Sequence, residues 1–349
     1  MTPRNLSAKT LRPMEARLVS ELPRQVGWQF EPKWYGFRCL AFKRSGKTDL
    51  RAKSGKALTR FFPEIAQALE AIPAKRFVLD GELLIPRANL LSFDALQMRL
   101  HPAQSRIEKI SRETPALLMC FDMLENTAGE NLLPQPLTQR RKELEALFGA
   151  FHKQTRLRLS PYSCSYSQAL AWLRKTGQRA LDGVIAKPLD EPYQPGKRAM
   201  MKVKCLRTAD CVVGGFRYAT GSNLVGSLLL GLYNDKGKLD HVGFTSGIAD
   251  ADRKALTKKL EALRGGEGFT GDAPGGPSRW STERSAEWVA LKPKFVAEVQ
   301  YDHVTGERFR HGTRFLRCRP DKAPKQCDFD QLAPAPRPPS VIQRALRPV

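Results

Sequence analysis

Near Thr208 the periodicity of the chain changes, and this change limits its architecture more than any other feature. Upstream, apolar strand candidates at 28–33, 38–42, 78–85, 116–121 and 183–187 are interspersed with helical stretches. Ile65, Ala68, Leu69 and Ile72 recur at helical spacing, as do Leu144, Leu147, Phe148 and Phe151 behind an expected N-cap at Thr138. The strands lack the even crossover spacing of a doubly wound sheet, which predicts an α+β domain with mixed and antiparallel sheets over residues 1–207. Downstream, short candidates at 211–218, 227–233, 239–244, 297–303 and 313–317 are separated by glycine-bearing turns and one amphipathic helix (Leu256, Leu260, Leu263). Five short strands and one helix suit an all-β, OB-type barrel over 208–325. The glycine-rich stretch 265–276 is too irregular to cradle phosphates and reads as a surface excursion, and the proline-rich segment 326–349 as a loosely packed tail.

A chain of 349 residues has room for these two domains. No apolar run is long enough to cross a membrane, and the first twenty residues lack the continuous apolar segment of a secretory signal. Seven cysteines, none in a C-x-x-C pair, and five widely spaced histidines speak against a zinc site or a disulfide framework, and fit a reducing cytoplasm. The net charge of +23 favours a polyanionic partner, because cations that replace condensed counterions gain affinity for nucleic acid. A basic but merely soluble protein is the plainer reading of charge spread this evenly.

Chemistry concentrates in a few segments. Glu31-Pro32-Lys33-Trp34-Tyr35-Gly36-Phe37-Arg38 sets a lysine on a strand just ahead of a glycine turn. An amine attacks phosphorus only when deprotonated, and a free lysine, with a pKa of about 10.4, needs neighbouring cations or a metal to become so at neutral pH. Val78-Leu79-Asp80-Gly81-Glu82-Leu83 puts acids at the end of an apolar strand, suited to ribose hydroxyls; Asp80-Gly81 alone would equally be a hairpin turn. Cys120-Phe121-Asp122 ends another strand with an aromatic that suits purine stacking, although a core position is the commoner fate of a single Phe. Asp182, at the head of the strand that ends in Lys187, is a candidate ligand for a hard cation. Lys202 and Lys204 share one strand face and suit a nucleotide phosphate.

The ordered set resembles the ATP-dependent DNA ligases, among them the small bacterial kind built of a nucleotidyltransferase domain and an OB domain. The resemblance spans nearly the whole chain and includes Ser92-Phe93-Asp94-Ala95-Leu96-Gln97, Arg207-Thr208-Ala209-Asp210-Cys211, Arg308-Phe309-Arg310-His311 and the closing Arg317-Cys318-Arg319-Pro320-Asp321-Lys322. It implies an ATP-grasp-like ligase domain followed by an OB-fold, and an enzyme of DNA repair and recombination. ATP and Mg²⁺ or Mn²⁺ would serve as cofactors, and duplex DNA with nicks or breaks as substrate. It further implies a monomer in the bacterial cytoplasm and nucleoid that meets repair proteins. By position, Lys33 would be adenylated, Glu31 would contact adenine, and Arg38 the ribose or the DNA end. Glu82 would bind ribose, Phe121 would stack on adenine, and Lys53 and Lys187 would join the nucleotide site. Asp182 would hold the metal, Lys202 and Lys204 the α-phosphate. Arg319, Asp321 and Lys322 would orient the departing pyrophosphate.

Three positions depart from the family pattern. Tyr35 replaces the Asp of Lys-x-Asp-Gly, Lys53 replaces an Arg, and Cys318 replaces a Trp. A neutral phenol is a poor Mg²⁺ ligand, so the first change predicts impaired adenylation. A catalytically inactive relic that binds nucleotide or DNA ends, and an RNA ligase or capping-type nucleotidyltransferase, stand as alternatives.

Overall fold

The computed structural model describes residues 6–87, 90–150, 156–174, 181–204, 206–275, 287–302, 304–309 and 312–332. The chain separates into two compact units, the second beginning at Leu206. In the first, β1 (Ala16–Leu18), β2 (Trp28–Trp34), β3 (Phe37–Arg44) and β4 (Lys47–Ala52) precede α1 (Pro63–Glu70) and β5 (Arg76–Leu84). A small hairpin, β6 (Pro86–Arg87) and β7 (Leu90–Leu91), leads to α2 (Phe93–Arg99), α3 (Gln104–Glu113) and β8 (Leu117–Glu125). Then come α4 (Leu137–Ala150), β9 (Leu157–Leu159), α5 (Tyr166–Arg174), β10 (Leu181–Pro188) and β11 (Met200–Val203).

These strands form two main sheets, β4-β3-β5-β8-β9 and β1-β11-β10-β2, both predominantly antiparallel with one parallel pair each. Alternation along each strand decides what the sheets enclose. Phe77, Leu79 and Leu83 of β5 and Leu118 and Cys120 of β8 pack with Ile65 and Leu69 of α1, Leu96 of α2 and Leu144 and Leu147 of α4. On the second sheet Phe30, Val184, Ala186 and Val203 pack on Ala169 and Trp172 of α5. The opposite faces meet through Leu40, Phe42, Val78 and Leu124 on one side and Ile185 and Met200 on the other. Residues in register with that second set are therefore held between the sheets, and these include the polar ones described below.

In the second unit, β12 (Arg207–Tyr218), β13 (Val225–Tyr233), β14 (Leu239–Gly247), α6 (Asp250–Glu261), β15 (Val289–Ala290) and β16 (Val296–Tyr301) precede the short β17 (Val304–Thr305) and β18 (Arg308–Phe309), and β19 (Thr313–Cys318). The strand order β13-β14-β19-β16-β12 closes on itself through β12–β13, and β14 and β19 run parallel. A sheet-rich unit that closes a five-stranded barrel with a helix after its third strand is the OB arrangement. Among the described residues no helix is long and apolar enough to cross a membrane.

Several local expectations change. Thr138 caps nothing: α4 already begins at Leu137, and the Thr138 N–H donates to the Leu189 carbonyl. Phe151, His303, Arg310 and His311 lie outside the described residues. Asp80-Gly81 is neither a turn nor a strand end but the middle of β5, and Cys120-Phe121-Asp122 is the middle of β8. The stretch 265–275 does more than cross the surface, since Phe269 is buried in the barrel core and its ring meets Trp288 at 5.6 Å. Gly214 makes this possible, because a Cβ there would lie 2.7 Å from the Phe269 ring. The start of the proline-rich tail is also packed, with Cys327 buried and the Gln331 amide donating to the Asp210 carbonyl.

Candidate active site

Side chains two apart on a strand share a face, so Gln29, Glu31 and Lys33 of β2 form one row. Antiparallel pairing with β10 sets Lys187 opposite Gln29, Ile185 opposite Glu31 and Gly183 opposite Lys33. Glu31 and Lys33 of this row border a cavity of about 220 Å³ between the two sheets of the first unit. Glu31, Lys33, Lys187 and Lys202 line it from one sheet, and Arg38, Glu82 and Phe121 from the other, with Lys53 at the end of β4.

One end of this cavity is built from buried polar groups. Glu31 Oε1 accepts hydrogen bonds from Gln29 Nε2 at 2.7 Å and lies 2.8 Å from Lys187 Nζ, and all three residues are 3% exposed or less. Lys187 Nζ also donates to the Phe121 carbonyl at 3.4 Å. The Phe121 ring carries Lys187 Nζ at 4.7 Å and the Arg38 guanidinium at 4.6 Å from its centroid, so the aromatic is a platform for cations as well as a wall.

The other end collects charge. Lys33 Nζ donates to Asp182 Oδ2, and Lys204 Nζ lies 3.5 Å from the same oxygen. Asp182 reaches this position because β10 carries a register irregularity between Leu181 and Gly183, and the extra residue is Asp182 itself. Lys204 follows the last residue of β11, and Lys202 sits within that strand. Burial lowers the Lys202 pKa, and Lys33, Lys204 and Lys53 lower it further. Glu82 is pushed up to about 7 by burial, which outweighs the pull of Arg38 and Lys33.

Arg38 is held rigidly behind these groups. Its guanidinium grips both Asp80 oxygens at 2.6 Å and donates to the Met14 carbonyl at 3.2 Å. Tyr193 completes the network, donating to Asp80 Oδ2 at 2.6 Å and accepting from the Met14 N–H at 2.8 Å. Asp80 is fully buried and spent on these partners, so of the two acids in its segment only Glu82 faces the cavity. At the rim Lys53 Nζ pairs with Glu15 at 2.9 Å, and that hydrogen bond holds the Glu15 carboxyl below its ordinary range.

Arg319, Asp321 and Lys322 form their own cluster in the second unit. Arg319 lies 2.9 Å from Asp210 and 2.8 Å from Asp321, Lys322 lies 4.0 Å from Asp210, and Arg319 holds the Asp321 carboxyl down to about 2. Cys318 is half-buried against the barrel core. Tyr35, expected beside the metal, is not among the residues lining the cavity; it is 6% exposed and belongs to the apolar core of the first sheet. Residue types alone passed over Gln29, Glu15 and Tyr193. For Gln29 a signal existed, since it continues the two-residue spacing of Glu31 and Lys33. Tyr193 and Glu15 reach the site through long-range contacts that no local pattern announces.

Comparison with known proteins agrees over both units. Residues 11–204 match the family described as ATP dependent DNA ligase domain, and residues 221–322 the ATP dependent DNA ligase C terminal region. The chain is 40% identical to DNA ligase C2 of Mycolicibacterium smegmatis, over 94% of this chain and 96% of that protein. It is 37% identical to DNA ligase C of Mycobacterium tuberculosis, over 92% and 93%. A solved structure of mycobacterial DNA ligase D complexed with ATP and MES is 30% identical, with a TM-score of 0.50, covering 92% of this chain and 99% of that one. With an amine, a lysine pair and a buried polar pocket joined on one sheet, and both domains matched in order, the chain belongs to the ATP-dependent DNA ligases.

Proposed function

We propose that this chain seals 5′-phosphate/3′-hydroxyl nicks in duplex DNA through three phosphoryl transfers, with Lys33 carrying AMP. Lys33 Nζ attacks the α-phosphorus of ATP; a P–N bond forms, the α–β bridging P–O bond breaks and pyrophosphate leaves. AMP then passes to a DNA 5′-phosphate, which frees the amine. Finally a 3′-hydroxyl attacks that phosphate, expels AMP and closes the backbone. The observation that carries this reading is the position of Lys33. It stands on the same strand face as the buried Glu31 and beside Lys202 and Lys204, at the junction of a base-binding end and a phosphate-binding end.

In such transfers positioning and cation electrostatics dominate. Glu31 and Lys187 contact the base and Phe121 walls it, while Glu82 and Arg38 address the ribose. Lys202 and Lys204 take the α-phosphate, Lys53 adds a point charge at the rim, and Arg319, Asp321 and Lys322 orient pyrophosphate. Among the described residues no group of three or more His, Cys, Asp or Glu could hold a metal by itself. Asp182, beside Lys33 and Lys204, is the residue that would hold a Mg²⁺ or Mn²⁺, since Mg²⁺ commonly takes one or two carboxylates plus phosphate oxygens and water. A cation held by Asp182 would supply positive charge beside the phosphate oxygens, while Lys33 keeps its place next to Asp182 and Lys204. The setting we infer is the bacterial cytoplasm, with the monomer acting on nicked or broken DNA alongside repair proteins.

Labelled ATP with Mg²⁺ or Mn²⁺, followed by a denaturing gel, tests the first step. Wild type is expected to form a covalent protein–AMP, and Lys33→Ala to lose it while melting normally. Undiminished labelling of Lys33→Ala removes Lys33 from the mechanism. Sealing of an all-DNA nick compared with an RNA-containing duplex tests the substrate.

A further inference from the structure

Glu31 and Lys187 offer an acceptor and a donor side by side, and such a pair does not by itself choose a purine. Adenine presents an amino donor at C6 next to an acceptor at N1, whereas a 6-oxopurine presents an acceptor at O6 next to a donor at N1. Either edge can satisfy one carboxylate and one ammonium if the two swap order along the edge. Discrimination therefore depends on what fixes the carboxylate on one side of the ammonium.

We propose that Gln29, through its hydrogen bond to Glu31 Oε1, is the residue that fixes this order and so makes the pocket select adenine over 6-oxopurines. Gln29 sits directly across from Lys187 in the β2–β10 register, and both donors converge on the same carboxylate oxygen, at 2.7 and 2.8 Å. With Oε1 occupied twice, Oε2 is the acceptor left for the cavity that Glu31 lines. Lys187 Nζ pairs with Glu31 and donates to the Phe121 carbonyl. Gln29 is only 1% exposed and is absent from the cavity lining, so it touches no nucleotide and acts by positioning. A single contact to an ammonium, whose donors point several ways, would leave the carboxylate free to settle on either side of it. A second donor from the neighbouring strand position removes that freedom.

The inference rests on the reading that Glu31 and Lys187 bind the base, and the two are separated by parallel variants. Covalent labelling is measured with ATP and with inosine triphosphate for wild type, Gln29→Leu, Gln29→Met and Glu31→Gln, alongside thermal melts. Wild type is expected to prefer ATP. In Gln29→Leu and Gln29→Met that preference falls by about tenfold or more, the range expected when a hydrogen bond to a charged group is lost. The change falls on KM for ATP while kcat at saturation holds, because Lys33, Lys202 and Lys204 are untouched. A role confined to stability would shift the melt and leave the ATP-to-inosine triphosphate ratio alone. An unchanged ratio in both Gln29 variants, with Glu31→Gln collapsing it, overturns the role of Gln29 only. An unchanged ratio in Glu31→Gln overturns the base-contact reading and this inference with it.

Discussion

The ring of Tyr35 lies 5.1 Å from that of Phe93, tilted by 37°, and Phe93 meets Phe37 edge-on at the same distance. Tyr35 is thus one of three aromatics in an apolar cluster, although in sequence it occupies the position where the family pattern has an acid. Tyr35→Asp would put a carboxyl into that cluster and remove the ring. The loss of a core aromatic alone costs about 3–5 kcal/mol, and an unpaired buried carboxylate adds to it. A urea midpoint well below that of wild type is expected. Adenylation rates for the two proteins across a Mg²⁺ titration, taken where both are folded, are expected to agree; a faster Tyr35→Asp enzyme at limiting Mg²⁺ would mean that an acid here does reach the cation.

Gly183 lets β10 approach β11 closely at the phosphate end. Its φ is +142°, and a Cβ would lie 2.0 Å from the Val203 carbonyl oxygen. Gly183→Ala must push β10 from β11 and so part Asp182 from Lys204 and Lys33. A displacement of roughly 1 Å at a reacting centre can cost on the order of a hundredfold, and single-turnover adenylation is expected to fall by that order, with a lower melting temperature.

Glu82 gives the site a pH signature. Burial raises its carboxyl from the ordinary 4.5 to about 7, so between those values the folded chain holds a proton that the unfolded chain has released. Its contribution to stability is complete below the lower value and is lost as pH rises through the upper one. Glu82→Gln carries no such proton. Urea midpoints measured from about pH 5 to about pH 8 are expected to show wild type losing stability relative to the variant as pH rises, on the order of 1–3 kcal/mol.

DNA binding is expected to be electrostatic and indifferent to sequence, as the net charge of +23 implies. Each phosphate contact contributes about −0.9 to the slope of log affinity against log salt, so a slope steeper than about −3 is expected. Fluorescence anisotropy of a labelled nicked duplex across a salt series measures it.

The sequence alone determined the two-domain plan and the register of the chemistry within each strand. Side chains alternate with period two along a strand, so residues two apart lie on one face, as Gln29, Glu31 and Lys33 do in β2. Lys33 therefore travels with Glu31, and Lys202 with Lys204, whichever sheet they join. Tertiary structure decided which rows face each other across the cavity and which acids are spent. Asp80 and Glu82 look alike in sequence, yet one is consumed by Arg38 and Tyr193 while the other lines the site, because Tyr193 arrives from a segment 113 residues away. Tyr35 follows the same logic. Its place beside Lys33 in sequence suggested the metal, but the turn into β3 delivers its ring to Phe93, where burying an aromatic face stabilises the fold. Local pattern specifies a face, and only the packing of distant segments specifies what that face meets.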